Sequence, residues 1–375
     1  MEKVTILMLH LQHGGIEKQT ITLANQLSND YDVEIISVYS MFKEPAYPID
    51  DRVKVTYLMN DAPNRDTFKA ALDQGKPVAI FKEICKALRI LYLKKNLMAK
   101  AIKKLDTDYV LSTRIDFADQ LSALAPEGVV TLTQEHLHDA SPKYVAQLQK
   151  SFRNIDYLVV LCRGAMANHS KWQENNHKIK LVEIPNILES VPEYSAQCQG
   201  NKLVAVGRLH PVKAFDDLIT VFSKVAERVP VATLTIVGGG EDQAKLENLI
   251  AEYNLQDKVT ITGMVSKEEV EKYMLDSDMY VMTSQTECFP MVLLEASSVG
   301  LPLVSFDVPV GPEAIITNGD NGILIQDRNM DEMADAIVGL LQDREKLHAM
   351  GSRAKELSYQ YLPSQIMGKW KELFK

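Results

Sequence analysis

Short, continuously apolar runs alternate along this chain with segments in which apolar residues recur at a helical period. The runs of the first half are Val4–Leu9, Val33–Val38, Tyr109–Leu111, Val129–Leu132, Tyr157–Val160 and Ile179–Glu183. Those of the second half are Leu203–Val206, Thr233–Val237, Val259–Ile261, Met279–Met282 and Leu303–Ser305. Strands that are buried on both faces are apolar throughout, and their alternation with helices is typical of parallel sheets. The pattern therefore predicts an α/β protein with parallel sheets flanked by helices.

A change in composition near Ile187–Gly200 interrupts this pattern. The surrounding segment, IPNILESVPEYSAQCQGN, contains two prolines and a glycine but few periodic apolar residues. Such segments often connect domains, and 375 residues suit two domains better than one. We predict a domain over residues 1–190 and another over residues 200–359. Ligands of parallel sheets bind outside the carboxyl ends of the strands, so we expect a cleft between the domains to hold the site.

The composition excludes several classes of protein. The hydrophobic content of 46% is that of a globular chain, and no apolar run approaches the roughly 18–20 residues of a membrane-spanning helix. The four cysteines have no CxxC pair or regular spacing, which argues against a zinc ribbon or a disulfide framework. The first apolar run lacks a cleavage site of small residues, so we interpret it as a strand and expect a cytoplasmic protein.

One segment is strongly basic although the net charge is -9. Lys82–Lys104 contains eight Lys or Arg residues and the single acid Glu83. Its apolar residues recur close to a helical period at Ile84, Leu88, Leu91, Met98 and Ile102. Two interpretations remain open and are compatible. The helix has a core face and a solvated basic face, or the basic face contacts an anionic membrane or a polyanionic acceptor.

Two acids, Glu287 and Glu295, flank an apolar segment that contains Pro290. Proline is tolerated in the first helical turn, so we predict that a loop becomes a helix here. A helix start offers free N–H groups to an anion, whereas carboxylates accept hydrogen bonds from the hydroxyls of a ribose or a sugar ring. The combination predicts a site for a sugar joined to a phosphate, although two unrelated surface acids would give the same pattern.

Further polar elements follow other predicted strands. Arg208 and Lys213 come after Leu203–Val206, where a guanidinium and an ammonium suit a diphosphate. The run Gly238-Gly239-Gly240 after Thr233–Val237 is similar to a phosphate-binding turn, but it lacks the lysine of a P-loop. Each element taken alone is also explained by surface cations or by a tight turn.

Two elements of the first half complete the set. Gly14 and Gly15 precede a predicted helix and would let the backbone approach a ligand. His136 and His138 lie in EHLHD after Val129–Leu132. Their spacing in a loop, without a further clustered ligand, argues against a metal and favours a polar contact to sugar.

In this order and spacing the motifs resemble those of the retaining, nucleotide-sugar-dependent glycosyltransferases of family four. The matching segments are GGIEKQ, IPNI, VGRL with its following lysine, VGGGE, the two-glutamate motif and GPEAI…GDNGIL. The resemblance covers nearly the whole chain and implies the GT-B fold, in which two Rossmann-like domains with parallel sheets face each other across a cleft. It also implies that the last helix, at residues 360–375, crosses back onto the first domain.

The resemblance implies a role for each matching residue. Glu287 would contact hydroxyls of the donor sugar, Glu295 would bind the ribose, and Arg208 and Lys213 would hold the diphosphate. Gly14 and Gly15 would approach the donor from the other domain, and Gly239 would lie in the donor-side turn. His136 would be the acceptor-side histidine, with His138 as the alternative. Backbone around the phosphate and the sugar would come from Phe289, Pro290, Met291 and Val292.

The implied reaction transfers a hexosyl group, with retention of anomeric configuration, from a nucleotide-diphosphate sugar, for which we expect UDP. The expected acceptor is a cell-envelope glycan, a teichoic acid or another polyanionic or lipid-linked molecule at the inner face of the cell membrane. No Asp-x-Asp metal site is evident, so cations and helix starts would stabilise the leaving diphosphate without a metal or another cofactor. We expect no nucleic-acid partner.

Other functions fit the same fold. A UDP-sugar epimerase or a phosphorylase would ordinarily have other motifs. A non-catalytic accessory subunit would tend to lose the arginine, lysine and glutamate set, all of which this chain retains.

Overall fold

The protein forms two compact units, as described by a computed structural model. The structure describes residues 1–40, 44–62, 65–136, 148, 151–173 and 179–375. The first unit contains Met1–Val160, Met166–Ile184 and Trp370–Lys375. The second contains Leu161–Ala165 and Pro185–Lys369. The division at Ile184–Pro185 lies slightly before the predicted linker at Ile187–Gly200.

The first unit is built on a parallel sheet of seven strands in the order β3-β2-β1-β4-β5-β6-β7. The strands are β1 (Lys3–Met8), β2 (Asp32–Tyr39), β3 (Lys54–Met59), β4 (Tyr109–Ser112), β5 (Val130–Gln134), β6 (Tyr157–Val160) and β7 (Lys180–Glu183). The chain order reverses beside β1, because β2 pairs with one of its edges and β4 with the other. In such sheets, ligands bind at this reversal, outside the carboxyl ends of the strands.

The first unit also contains helices. The longest of those that the structure describes is Pro77–Ile102, which includes most of the basic segment. The helices are Gly15–Leu27, Arg65–Asp73, Pro77–Ile102, Ile115–Leu124 and Arg163–Gln173. The sequence analysis missed β3, whose residues are half-buried or exposed because the strand lies at the edge of the sheet. An edge strand lacks the uninterrupted apolar run that identified the central strands.

The long basic helix, Pro77–Ile102, corrects the predicted core face. Of the five apolar positions assigned to that face, Met98 and Ile102 are buried. Ile84, Leu88 and Leu91 are exposed instead. The helical period was right, but the buried side chains of the helix are Ile90, Met98 and Ile102, so the packed face differs from the predicted one.

The second unit is built on a parallel sheet of six strands in the order β10-β9-β8-β11-β12-β13. The strands are β8 (Lys202–Val206), β9 (Thr233–Val237), β10 (Val259–Ile261), β11 (Met279–Met282), β12 (Leu303–Asp307) and β13 (Gly322–Gln326). The helices are Phe215–Arg228, Gln243–Glu252, Lys267–Leu275, Met291–Ser298, Met330–Gln342 and Arg344–Ser358. The two sheets confirm the predicted fold class of paired parallel-sheet α/β domains. The sequence analysis did not predict β13. Strands β8 and β11 are neighbours at the centre of the sheet, so their carboxyl ends lie side by side.

The last helix, Pro363–Leu373, begins in the second unit and ends in the first. Trp370 is fully buried, and the ring of Phe374 packs against Tyr31 and Tyr109 at centroid distances of 5.3 and 4.6 Å. Trp370 and Phe374 therefore belong to the core of the first unit although most of that unit lies far from them in sequence.

Candidate functional site

The loop after β8 supplies the first cation of the second unit. A single 3-10 turn, Pro211–Lys213, follows β8, and His210 starts it because its Nδ1 accepts a hydrogen bond from Val212 N at 3.2 Å. Ala214 then adopts a left-handed conformation and leads into the helix Phe215–Arg228. The turn places Lys213 at the carboxyl end of the sheet.

The loop after the neighbouring strand β11 supplies the carboxylate that meets this lysine. Lys213 Nζ lies 2.6 Å from Glu287 Oε1. The Glu287 side chain is only 12% exposed, and that of Lys213 is 27% exposed. A charged pair in this partly dry position has a stronger electrostatic interaction than a surface pair. The structure thus brings together two site residues that lie far apart in sequence.

Hydrogen bonds fix the two loops to each other. The Thr283 hydroxyl donates to the carbonyl of Ala214 at 2.9 Å, and Gln285 N donates to the carbonyl of Val212 at 2.8 Å. Arg328 donates to the carbonyls of Thr283 and Ser284 at 2.7 and 2.9 Å. The sequence analysis did not identify Arg328, because no motif signals a side chain that binds backbone carbonyls of a distant loop.

Gly311 packs directly against the carboxylate loop. A Cβ atom there would lie 2.6 Å from Glu287 Cβ and 2.9 Å from Pro290 Cδ. Its neighbour Val310 forms a parallel bridge with Glu287. The glycine of the GPEAI segment is therefore required for the position of Glu287, and the resemblance was the only signal for it.

Glu295 lies on the helix Met291–Ser298, whereas Glu287 precedes that helix in the loop. Burial raises the pKa of Tyr280, and the negative charges of Glu287 and Glu295 raise it further. The Tyr280 hydroxyl donates to the carbonyl of Val206 at 3.1 Å and accepts from its amide at 3.2 Å. The two carboxylates therefore act on the same buried hydroxyl at the base of the site.

The helix after Glu287 begins as the sequence predicted. Pro290 is the residue before its first turn, no side chain caps it, and Pro290 O accepts from Leu293 N at 2.9 Å. Phe289 is buried with its ring against Tyr361, at a centroid distance of 5.7 Å. Its side chain is committed to packing, so only its backbone is left for a ligand. Met291 and Val292 form the first turn of the helix.

The Gly238-Gly239-Gly240 run packs against the loop that carries Arg208. A Cβ atom on Gly238 would overlap the carbonyl of Gly207, and one on Gly240 would overlap that of Leu209. Leu209 N also donates to Gly239 O at 3.0 Å. Close approach between two backbones explains these glycines without a ligand, so binding of a phosphate by Gly239 stays a prediction.

Arg208 does not take part in the Lys213–Glu287 ion pair. It is exposed, and within the part of the chain that the structure describes it forms no hydrogen bond or ion pair. Its guanidinium is therefore available to an anionic ligand. Its role in holding a diphosphate stays a prediction.

In the first unit, Gly14 and Gly15 lie after β1 at the start of the helix Gly15–Leu27. Gly14 N donates to the hydroxyl of Tyr47, and that hydroxyl donates to Gly14 O, both at 3.3 Å. A Cβ atom on Gly14 would overlap the buried carboxylate of Glu17, whereas one on Gly15 would meet nothing within 4 Å. A side chain at position 14 would displace the carboxylate of Glu17, whereas one at position 15 would displace nothing.

His136 lies directly after β5, beside a small pocket of about 80 Å³ that Ile16, Thr113, Arg114 and Phe152 also line. Its Nε2 atom is buried and has no hydrogen-bond partner among the described residues. Burial lowers the pKa of His136 to about 4, so the imidazole is neutral near pH 7. An unpaired, neutral ring nitrogen beside a pocket can exchange a hydrogen bond with a ligand hydroxyl. The alternative residue, His138, lies outside the described residues.

The preceding residue holds the end of β5 in place. Glu135 and His169 Nε2 share a short hydrogen bond, and both side chains are buried. His169 belongs to the helix Arg163–Gln173, so the pair joins that helix to the loop that carries His136. The sequence analysis did not assign a function to His169.

Within the ranges given above, no group of three or more His, Cys, Asp and Glu side chains could hold a metal ion. In the same part of the chain, no helix has both the length and the apolar character needed to cross a membrane.

Comparison with known proteins identifies relatives of both parts of the chain. Residues 189–357 match the family described as glycosyl transferases group 1. The chain is 30% identical over 96% of its length to the exopolysaccharide phosphotransferase SCO2592 of Streptomyces coelicolor, but spans only 39% of that protein. It is 29% identical to the amylovoran biosynthesis glycosyltransferase AmsD of Erwinia amylovora, with 100% of this chain and 99% of that protein covered.

A solved structure has the same fold over the full length. The crystal structure of a Staphylococcus aureus TarM mutant with Fondaparinux, alpha-GlcNAc-glycerol and UDP matches with a TM-score of 0.77. It covers 100% of both chains at 16% identity. Residues 189–357 therefore form a domain of the family of group 1 glycosyl transferases, and the chain as a whole has the fold of the TarM structure.

Proposed function

We propose that this protein transfers a hexosyl group from a nucleotide-diphosphate sugar to a glycan acceptor. The observation that carries the proposal is the contact between Lys213 and Glu287, formed where the carboxyl ends of β8 and β11 meet. A cation, a partly buried carboxylate and an uncapped helix start converge there. These groups match the phosphates and the hydroxyls of such a donor.

In the proposed reaction the bond between the anomeric carbon and the diphosphate breaks, while the acceptor hydroxyl forms a bond to that carbon from the same face. Negative charge grows on the leaving phosphate oxygen, and a diphosphate oxygen accepts the proton of the acceptor hydroxyl. Lys213 and Arg208 stabilise that charge, and so do the N–H groups of the first turn at Met291 and Val292. Glu287 accepts hydrogen bonds from sugar hydroxyls, and Glu295 accepts them from the ribose. We further propose retention of anomeric configuration and independence from metals, as the family resemblance implies.

We propose UDP as the nucleotide of the donor. The TarM structure with which this chain shares its fold contains UDP. The identity of the base depends on a few hydrogen bonds in the pocket, so it needs a direct measurement.

We propose that the acceptor belongs to the cell envelope and that the protein works on the inner face of the membrane. The Streptomyces and Erwinia relatives are named for exopolysaccharide and amylovoran, and the TarM structure contains alpha-GlcNAc-glycerol. The basic helix Pro77–Ile102 supports attraction to an anionic surface or acceptor.

A thermal-shift panel with UDP, GDP, ADP and CMP tests the donor site. A ligand at about 100 times its Kd stabilises the folded state by about 2.7 kcal/mol. We expect UDP to raise the Tm of the wild type and to lose this effect in Arg208→Ala/Lys213→Ala. The double variant Lys224→Ala/Lys258→Ala, which removes two exposed lysines from the same unit, is the matched control. Absence of any shift at millimolar nucleotide would contradict the proposal and favour a non-catalytic subunit.

A further inference from the structure

The first four turns of the basic helix Pro77–Ile102 expose large apolar side chains to solvent. Val78, Phe81, Leu88 and Tyr92 have exposed fractions of 68%, 67%, 62% and 70%. Exposed apolar residues are common singly, but a contiguous group on one helix marks an interaction surface. We call these four residues the apolar stripe.

The stripe has the spacing of one helix face. At about 100° per residue its members fall within about 80° of one another, and it runs for about 21 Å at a rise of about 1.5 Å per residue. Ile84 and Leu91, which are also exposed, widen it on one side. The opposite face holds the buried residue Ile90. The face of this helix that is exposed to solvent is therefore partly apolar, whereas the exposed face of an ordinary amphipathic helix is polar.

Positive charge borders the stripe on its other side. Lys82, Lys86 and Arg89 are exposed, follow the stripe at helical spacing and form no ion pair within the described ranges. The only acid of the helix, Glu83, accepts a hydrogen bond from the Thr67 hydroxyl at 3.0 Å. By contrast, Lys94 is paired with Asp116 and largely buried. Lys82, Lys86 and Arg89 therefore form a row of cations, unpaired among the described residues, along one edge of the stripe.

We propose that the apolar stripe inserts into the surface of an anionic phospholipid membrane while Lys82, Lys86 and Arg89 contact the lipid phosphates. Apolar side chains beside a row of cations are the pattern of helices that lie in the membrane interface. A second copy of the chain fits this face less well, because a symmetric pair would place the same cations near each other. The inference rests on the proposed membrane location and identifies the surface responsible for it.

Flotation of the full chain with vesicles tests this surface. We expect partition onto vesicles of phosphatidylcholine with phosphatidylglycerol, and at least about tenfold weaker partition onto phosphatidylcholine alone. Phe81→Ser/Leu88→Ser and Lys82→Gln/Lys86→Gln/Arg89→Gln should each weaken binding to the anionic vesicles by about tenfold or more. All five side chains are exposed, so both variants should keep the wild-type Tm.

A matched control removes exposed apolar side chains from the other unit. Val231 and Met264 are 72% and 82% exposed, and Val231→Ser/Met264→Ser should bind vesicles as the wild type does. Equal binding by the two helix variants and the wild type would overturn the proposal. A second outcome would also overturn the proposal. In it, the wild type is a dimer that does not bind vesicles, and Phe81→Ser/Leu88→Ser converts the dimer to a monomer.

The nucleotide measurement separates this inference from the proposed reaction. The helix variants leave Lys213 and Glu287 unchanged, so UDP should shift their Tm as it shifts that of the wild type. Vesicle binding without a nucleotide shift would support the surface and contradict the reaction. A nucleotide shift without vesicle binding would overturn the surface and leave the donor site intact.

Discussion

At the scale of single residues, the pair Lys213–Glu287 combines charge, partial burial and contact between two loops. A motif can identify each residue, but only the adjacent strands β8 and β11 bring the two charges within 2.6 Å. The same contact orients both side chains before a ligand arrives.

We predict that Lys213→Ala and Glu287→Gln each lower kcat by about a hundredfold or more. Lys213 stabilises the negative charge that grows on the leaving phosphate, and Glu287 positions both Lys213 and the donor sugar. The measurement is release of nucleoside diphosphate from the donor. Lys224→Ala, which removes an exposed lysine paired with Asp331, is the control and should keep wild-type turnover. Near-normal turnover in both site variants would refute their assignment.

His136 gives a prediction about pH. Burial lowers its pKa to about 4, so the folded state binds its proton less readily than the unfolded state, whose pKa is about 6.5. The neutral ring therefore contributes stability that is fully present above pH 6.5 and is lost as the pH falls towards 4. The contribution reaches about 3 kcal/mol at 1.36 kcal/mol per pKa unit.

Urea unfolding of His136→Gln between pH 7 and pH 4 measures this contribution. We expect the variant to lose less stability over this range than the wild type, while His348→Gln, at an exposed position, loses as much as the wild type. Parallel pH profiles for the wild type and His136→Gln would contradict the prediction.

At the scale of secondary-structure elements, the turn after β9 and the loop after β8 pack directly against each other. Gly238 and Gly240 lie against the carbonyls of Gly207 and Leu209, and Leu209 N donates to Gly239 O. The glycine run therefore determines where the backbone around Arg208 lies. Substitution of these glycines should therefore affect nucleotide binding by moving Arg208, even if the glycines themselves do not contact the nucleotide.

We predict that Gly240→Ala destabilises the protein by about 1–3 kcal/mol, because the added methyl group overlaps the carbonyl of Leu209. It should also weaken binding of UDP, as measured by titration. Gly339→Ala, in the middle of the helix Met330–Gln342, meets no atom within 4 Å and should stabilise by about 0.5–1 kcal/mol. A Gly240→Ala protein with wild-type stability and unchanged affinity for UDP would contradict this prediction.

At the scale of the whole molecule, the two compact units share the chain unequally. Trp370–Lys375 return to the first unit after the second is complete. Removal of Trp370–Lys375 should therefore destabilise the first unit, although the strands of its sheet all come from residues 3–183.

We predict that Trp370→Ala destabilises the first unit by about 3–5 kcal/mol, as expected for removal of a fully buried aromatic side chain. Hydrogen exchange should show faster exchange in β1 and β4, with smaller changes in β8 and β11. Tyr359→Ala, at a residue that is 48% exposed, is the control and should leave exchange unchanged. Equal acceleration in both sheets would contradict this assignment of the C-terminal residues.

The sequence alone determined the α/β class and most strands, because buried parallel strands are recognisable as continuous apolar runs. It also identified Glu287, Lys213 and the start of the helix at Met291, since each follows a strand or a proline. It missed β3 because an edge strand is only half-buried.

Only the tertiary structure decided which side chains meet and which faces are covered. A helical period shows that a face exists, but whether Leu88 is buried or exposed depends on what packs against it. Contacts such as Lys213–Glu287, or Gly311 against Glu287, depend on strand order, which local patterns do not encode. Local sequence determines the elements, whereas burial and contact at long range determine the site.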